Sequence, residues 1–183
     1  MRADRSVQGE SIRGLGLPHR WSGISTTTTA SDTETPYVRR VKEALAPVRQ
    51  QVRWCGFVSR DRMPELYAAG DLLVQPSVGP EAFSNTILEA MACGLPVVTF
   101  AHGGACEAVR HEETGLLVDL ADSSGGLHQA VDRLLADPAT RCRMGRAGRR
   151  LVEQRFSWEA VAQETVALYE ELMGKNGHAA AKR

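Results

Sequence analysis

The stretch that most constrains this chain is Gly79–Pro96, GPEAFSNTILEAMACGLP. Ser84 is a good N-cap residue, because its hydroxyl can accept a hydrogen bond from a first-turn amide, and Gly94 followed by Pro96 marks a C-terminal stop. The sequence therefore predicts a helix from about Asn85 to Cys93. Glu81 and Glu89 have seven residues between them, so one precedes this helix and the other lies about a turn and a half inside it. Both can face one pocket. The first-turn amides of Asn85, Thr86 and Ile87 lack intrahelical acceptors and sit at the positive end of the helix dipole, which makes a site for a phosphate. Two acids beside an anion site make chemical sense if the ligand also carries neutral hydroxyls. A nucleotide sugar does: its diphosphate suits the helix end, and its ribose and hexose hydroxyls suit the carboxylates. The paired-Glu spacing alone is a weak signal, since a Glu on a surface helix is usually just solvated. What strengthens it is the order of the flanking segments.

Before this stretch, DLLVQPS is a short continuous apolar run bounded by turn residues, which predicts a buried parallel strand. After it, Val97–Phe100 predicts the next strand, and Gly103 and Gly104 permit a tight turn into a short helix near Ala105. Strand, loop with Glu81 and helix with Glu89 form one half of a βαβ unit, and ligands in such sheets bind at the carboxyl ends of the strands, where Pro76–Ser84 must lie. The fold class expected is α/β, a Rossmann-like parallel sheet flanked by helices.

At these residues the chain resembles the family 4 retaining glycosyltransferases, whose GT-B architecture joins two Rossmann domains. In that family the segment reads Glu-Gly-Phe-Gly, a short apolar run, then Glu-Ala-Met-Ala-x-Gly-x-Pro-Val-Val; Phe83, Leu88–Ala92, Gly94 and Pro96–Val98 fall on it. Thr114–Val118 match a Thr-Gly-Leu-Leu-Val strand, and Glu107 sits where a Gly-Gly-x-x-Glu loop carries its Glu. The resemblance implies that Glu81 contacts the transferred sugar and Glu89 the ribose hydroxyls, with Phe83, Ser84, Asn85 and Thr86 around the donor. It also implies that Gly56, Phe57 and Val58, at the end of the strand in VRWCGFVS, lie beside the nucleotide base, although an ordinary strand end reads as well for each residue singly. Ala82 and Ser84 stand where glycines are usual, and Ala105 and Cys106 replace Ile-Pro. A methyl at Ala82 shifts the donor pose, and Ser84 adds a hydroxyl near the sugar. The implied activity is transfer of a sugar from a nucleotide-sugar donor to an acceptor with retention at the anomeric carbon. No cofactor is expected beyond the donor substrate, no metal ligands, and no covalent nucleophile.

The resemblance covers about residues 36–173, read as a partial donor-binding domain, the incomplete C-terminal half of a GT-B fold. Residues 1–35 look unlike the rest: their apolar residues have no period and Ser25–Thr35 is of low complexity, so this segment is expected to be disordered or unrelated. The strand and loop that supply an Arg and a Lys to the diphosphate in the family are not readable there, nor is the acceptor-binding Rossmann domain, so the isolated chain is expected to be inactive. Residues 174–183 read as a polar tail.

Pro36 suits a first helical position, with Val38, Val41, Ala44 and Leu45 at helical spacing up to Pro47. Asp61 is placed to cap a helix over about Arg62–Ala69, closed by Gly70. Leu127, Val131, Leu134 and Leu135 predict a helix ending at Asp137-Pro138, and a second runs over about Ala139–Gln154. That second helix and Arg155 after it hold Arg141, Arg143, Arg146, Arg149, Arg150 and Arg155, read as a solvated face, with a phosphate or an anionic membrane surface as the alternative contact. Ser157 caps the last helix, whose apolar face from Trp158 to Leu172 braces the other domain in the family. His102 reads as a loop histidine with no visible partner.

With 22 acidic and 22 basic residues and a pI near 7.0, net charge offers no argument for nucleic acid as a partner. The four cysteines form no CxxC pair, and three sit in contexts that suit a buried free thiol, so a reducing, cytoplasmic setting is expected. Two readings from other classes stand beside the enzyme: a non-catalytic nucleotide-sugar binding module or a subunit needing a partner chain, and a plain Rossmann-like domain whose acids are solvated.

Overall fold

The computed structural model describes residues 24–26, 35–79, 83–122 and 125–180, and the side chains of 24–26 and 174–180 are left aside. The chain forms two compact units, residues 1–70 and 71–183. In the first, strand β1 (Ile24–Thr26) pairs in parallel with β2 (Val52–Trp54), Ile24 opposite Val52 and Thr26 opposite Trp54. This strand lies inside the stretch read as low-complexity and disordered. The rest of residues 1–34 is outside the described residues.

Helix α1 (Pro36–Ala44) forms the crossover between the two strands, and it starts where expected. Pro36 occupies the first turn, where a missing amide hydrogen costs nothing, and the Val38 amide donates to Thr35 Oγ1 at 3.2 Å. The Lys42 ammonium lies 5.6 Å from the centre of the Trp54 ring. Helix α2 (Met63–Ala68) buries Tyr67. Its start corrects the expectation for Asp61: that residue lies inside a 3-10 turn (Arg60–Arg62), and Arg62 takes the N-cap position without a side-chain capping bond.

The second unit holds a three-stranded parallel sheet in the order β3 (Leu73–Gln75), β4 (Val97–Phe100), β5 (Gly115–Val118). Every residue of β4 is buried, as a central strand covered on both faces requires. Val98 and Phe100 join Leu116, Val118, Leu134 and Met144 in the main core, so by alternation Val97 and Thr99 face the opposite side. Helices α3 (Asn85–Ala92) and α4 (Ala105–Ala108) connect the strands. Helices α5 (Gly125–Ala136), α6 (Pro138–Arg155) and α7 (Trp158–Ala180) follow β5.

The cap of α7 agrees with the sequence, Ser157 Oγ accepting from the Ala160 amide at 3.2 Å; α6 starts at Pro138, and Asp137, read as the end of the preceding helix, caps it by accepting at Oδ1 from the Thr140 amide at 3.0 Å. Of the apolar residues at helical spacing in α5, Leu134 is buried and Leu135 is 52% exposed. Helix α7 continues through Gly174 to Ala180, into the stretch read as a polar tail. The buried setting expected for three of the four cysteines is not found: Cys55 and Cys93 are half-buried, and Cys106 and Cys142 are exposed.

Candidate functional site

The site is built at the carboxyl end of β3. The chain leaves the strand after Gln75 and reaches α3 at Ser84, and two hydrogen bonds tie the start of this loop to the neighbouring strand end. Thr99 Oγ1 donates to the Gln75 carbonyl at 2.9 Å, and His102 Nε2 donates to the Ser77 carbonyl at 2.8 Å. His102 therefore has a partner after all, one that no spacing in the sequence reveals, and its bond to a carbonyl places the proton on Nε2. At the far end of the loop the Phe83 ring packs on Phe156, with centroids 5.6 Å apart and planes at 44°. Phe156 caps the C-terminus of α6, so the residue expected beside the donor is also braced by a helix more than sixty positions away.

Helix α3 is held at its other end and along its side. Gly94, in the left-handed region at φ 80°, donates to the Met91 carbonyl, and the Leu95 amide donates to Ala90, the two bonds of a Schellman termination. A Cβ on Gly145 of α6 would lie 1.9 Å from the Gly94 carbonyl oxygen, and one on Gly148 would lie 3.5 Å from Met91 atoms. These glycines let α6 lie directly against α3. Ile87, Ala90 and Met91 are buried, whereas Asn85 and Glu89, four residues apart on one side of the helix, are exposed.

The helix head differs from the expectation in two ways. Ser84 occupies the N-cap position, but its hydroxyl makes no capping bond. Instead its carbonyl accepts from the Ile87 amide at 3.2 Å and the Leu88 amide at 3.4 Å. Ile87 N–H is thus engaged, because the first turn tightens with a 3-10-type bond, and two amides, those of Asn85 and Thr86, remain without an acceptor among the described residues. Ser84 is 4% exposed. A hydroxyl buried without a partner costs about 1–3 kcal/mol.

The sequence-predicted residues thus divide into three groups. Phe83, Ser84, Asn85, Thr86 and Glu89 stand together on one loop and helix. Gly56 (φ 62°), exposed Phe57 and half-buried Val58 follow β2 in the other compact unit. Glu81 lies outside the described residues. Glu107 is exposed on α4. Around the site, burial pushes the Cys93 thiol above its ordinary value; the Arg149 charge opposes this and the Glu89 carboxylate adds to it. Among the described residues no group of three or more His, Cys, Asp or Glu side chains is placed to hold a metal ion.

The basic residues of α6 are partly structural. Arg141 donates to the Leu134 and Leu135 carbonyls at 2.6 and 2.7 Å, closing the C-terminus of α5, where a cation also complements the helix dipole. Arg149 pairs with Glu153 at 2.8 Å and Arg146 approaches Cys142. No helix among the described residues is long and apolar enough to cross a membrane.

A three-stranded parallel sheet flanked by helices is a Rossmann-like α/β arrangement, the architecture of part of a GT-B glycosyltransferase. Residues 35–151 match the family described as glycosyl transferases group 1, and the chain belongs to that family. It is 37% identical over 131 residues to an uncharacterized glycosyltransferase of Methanocaldococcus jannaschii, covering 70% of this chain and 33% of that one. It is 37% identical over 163 residues to alpha-maltose-1-phosphate synthase of Mycobacterium tuberculosis, covering 82% and 42%. Among solved structures, sucrose-phosphate synthase from Thermosynechococcus elongatus superimposes with a TM-score of 0.71 at 30% identity, over 93% of this chain and 43% of that one. Anabaena HepE in complex with UDP gives 0.74 at 25% identity, over 92% and 45%. The chain spans between 33% and 42% of the length of the two curated relatives named here.

Proposed function

We propose that the chain is the donor-binding part of a retaining family 4 glycosyltransferase that transfers a hexose from a nucleotide-diphosphate sugar to an acceptor. The observation that carries this reading is the head of α3. Its two amides without acceptors among the described residues and the buried Ser84 hydroxyl lie at the carboxyl end of a parallel sheet, with Glu89 exposed one turn further along the same helix. In the proposed mechanism the diphosphate sits on the helix end, where the dipole and the amides stabilise the negative charge that grows on the leaving nucleotide. Glu89 holds the ribose hydroxyls. Glu81 orients the transferred sugar through its hydroxyls and does not act as a nucleophile. Positioning and charge stabilisation do the chemistry, and no cofactor takes part beyond the donor itself. HepE, solved in complex with UDP and in complex with UDP and glucose, supports a donor of this class.

The acceptor-binding domain is proposed to lie on other sequence, and the exposed apolar face of α7 to pack against it. The setting proposed is cytoplasmic, with the outer arginines of α6 available to an anionic membrane surface. The share of the relatives' length that the chain spans favours a second reading, a nucleotide-sugar binding module that turns over only with a partner chain.

Calorimetry with UDP, GDP and ADP and their glucose conjugates tests the donor reading. Binding is expected for one base, and Glu89→Ala is expected to weaken it. A folded chain that binds none of them sinks the proposal in favour of a domain with solvated acids. Sugar transfer by the chain alone overturns the expected inactivity, whereas binding without transfer agrees with the second reading.

A further inference from the structure

We infer that Ser84 is a specificity-determining residue whose hydroxyl donates its proton to a phosphate oxygen of the ligand held at the head of α3. The inference rests on the donor-binding reading and assigns the contact of one side chain within it. Three buried polar residues stand out in the second unit: Ser84, Thr99 and Thr114, all exposed by 4% or less. The threonines are satisfied. Thr99 Oγ1 donates to the Gln75 carbonyl, and Thr114 Oγ1 accepts from the Arg110 amide at 2.9 Å. Ser84 is the exception, because among the described residues its hydroxyl has neither donor nor acceptor.

The usual occupation of a serine at this position is to accept from an amide of the first turn. Here the Ser84 carbonyl takes the Ile87 amide, the Thr86 amide has no acceptor among the described residues, and the hydroxyl caps neither. The helix has no freedom to tilt and correct this. Its C-terminus is locked by the Schellman bonds at Gly94 and Leu95, and its flank rests on Gly145 of α6. What remains at the head of α3 is therefore a set of donors, the Asn85 and Thr86 amides and the Ser84 O–H, with no acceptor among the described residues to receive them. Donors converging on a positive helix end select an anionic oxygen, and a hydroxyl in such a place donates rather than accepts. A phosphate group offers several oxygens to share among these donors. A sugar hydroxyl, which must also donate, does not match them as well.

Calorimetry on the full chain, with the nucleoside diphosphate that binds among UDP, GDP and ADP, reads this directly. Ser84→Ala is expected to weaken binding about tenfold or more, the loss typical of a hydrogen bond to a charged group. The same substitution is expected to leave the thermal midpoint of the ligand-free protein unchanged or higher, because it removes a buried hydroxyl that has no partner among the described residues. Ser84→Cys keeps the volume but substitutes a weak donor, and is expected to bind as poorly as the alanine variant. A hidden capping role predicts the reverse: a lower ligand-free midpoint with unchanged affinity, and that result overturns the inference. Competition by inorganic pyrophosphate separates the two halves of the ligand. Pyrophosphate affinity should fall in Ser84→Ala with that of the nucleotide; a loss confined to the nucleotide sugar puts the hydroxyl on the sugar and overturns the phosphate assignment. If the folded wild-type chain binds no nucleoside diphosphate, the donor reading fails and takes this inference with it. If it binds and Ser84→Ala does not matter, the inference alone fails.

Discussion

Helices α3 and α7 are both rich in apolar side chains, and they end in opposite situations. In α3, Ile87, Ala90 and Met91 are covered by the sheet and by α6, and both ends of the helix are tied down. In α7, Trp158 is 81% exposed and Met173 67%, with Val166, Leu168 and Tyr169 also more than half exposed. The start of α7 is fixed through Ser157. The residues from 158 to 173 include Glu159, Glu164, Glu170 and Glu171 but no Lys or Arg. Helical periodicity predicts a helix equally well in both places. What covers the apolar side is a separate matter, set by the neighbours, and it decides where the stability of the chain resides.

The sharpest way to break this comparison is to truncate one side chain in each helix. Met91→Ala is expected to cost about 2–5 kcal/mol, through lost burial and the cavity left between α3 and α6. Leu172→Ala is expected to stay within about 0.5 kcal/mol. Urea unfolding of the two variants measures both, and equal losses would show that α7 is covered in solution.

A smaller effect is expected from Gly145→Ala, and its sign is informative. In an open helix interior, Gly to Ala stabilises by about 1 kcal/mol. At position 145 the new Cβ would meet the Gly94 carbonyl at 1.9 Å, backbone against backbone, so α6 and α3 must separate. A net destabilisation of about 1–3 kcal/mol is expected. A gain in thermal midpoint would mean that the two helices do not touch there, and the restraint argued for the α3 head would lose its support.

Much of this was legible in advance. Strand β4 and helix α3 were readable because continuous apolar runs and glycine-proline stops are local signals, and α6 was framed by its Asp137-Pro138 start. The family segment was legible for the same reason. Less legible were interactions that join distant positions: His102 with Ser77, Phe83 with Phe156, and α6 with the end of α3. For the last a signal existed, since Gly145 and Gly148 weaken a helix interior and so hint at close packing. Strand β1 was missed because three residues of a Ser/Thr-rich run have no periodicity; their partner β2 makes them a strand. The capping hydroxyl of Ser84 was misread because residue preference fixes a position but not which atom of that residue does the capping.

The smallest expected effect concerns a restraint of a third kind, electrostatic and on the surface. Glu112 sits in the turn before β5 with φ 65°, a left-handed conformation uncommon for a glutamate. Its carboxylate accepts two bonds from the Arg133 guanidinium of α5, one of them at 2.7 Å. The hydrogen bond to Arg133 holds the carboxyl below its ordinary value of 4.5; burial opposes it, and the Arg133, His111 and Arg143 charges add to the lowering. The folded state therefore binds fewer protons than the unfolded chain at acid pH. The contribution is fully present above pH 4.5 and is lost as pH falls from there through the lowered folded value. Because the pair is exposed, salt screens it and the effect is small. Thermal midpoints of wild type and Glu112→Gln measured from pH 7 to pH 3 should differ most at neutral pH and converge at the acid end, more so at low salt. A difference that stays constant down to pH 3 would assign the contribution of Glu112 to its backbone geometry, and α5 would then be held to the β5 turn by packing alone.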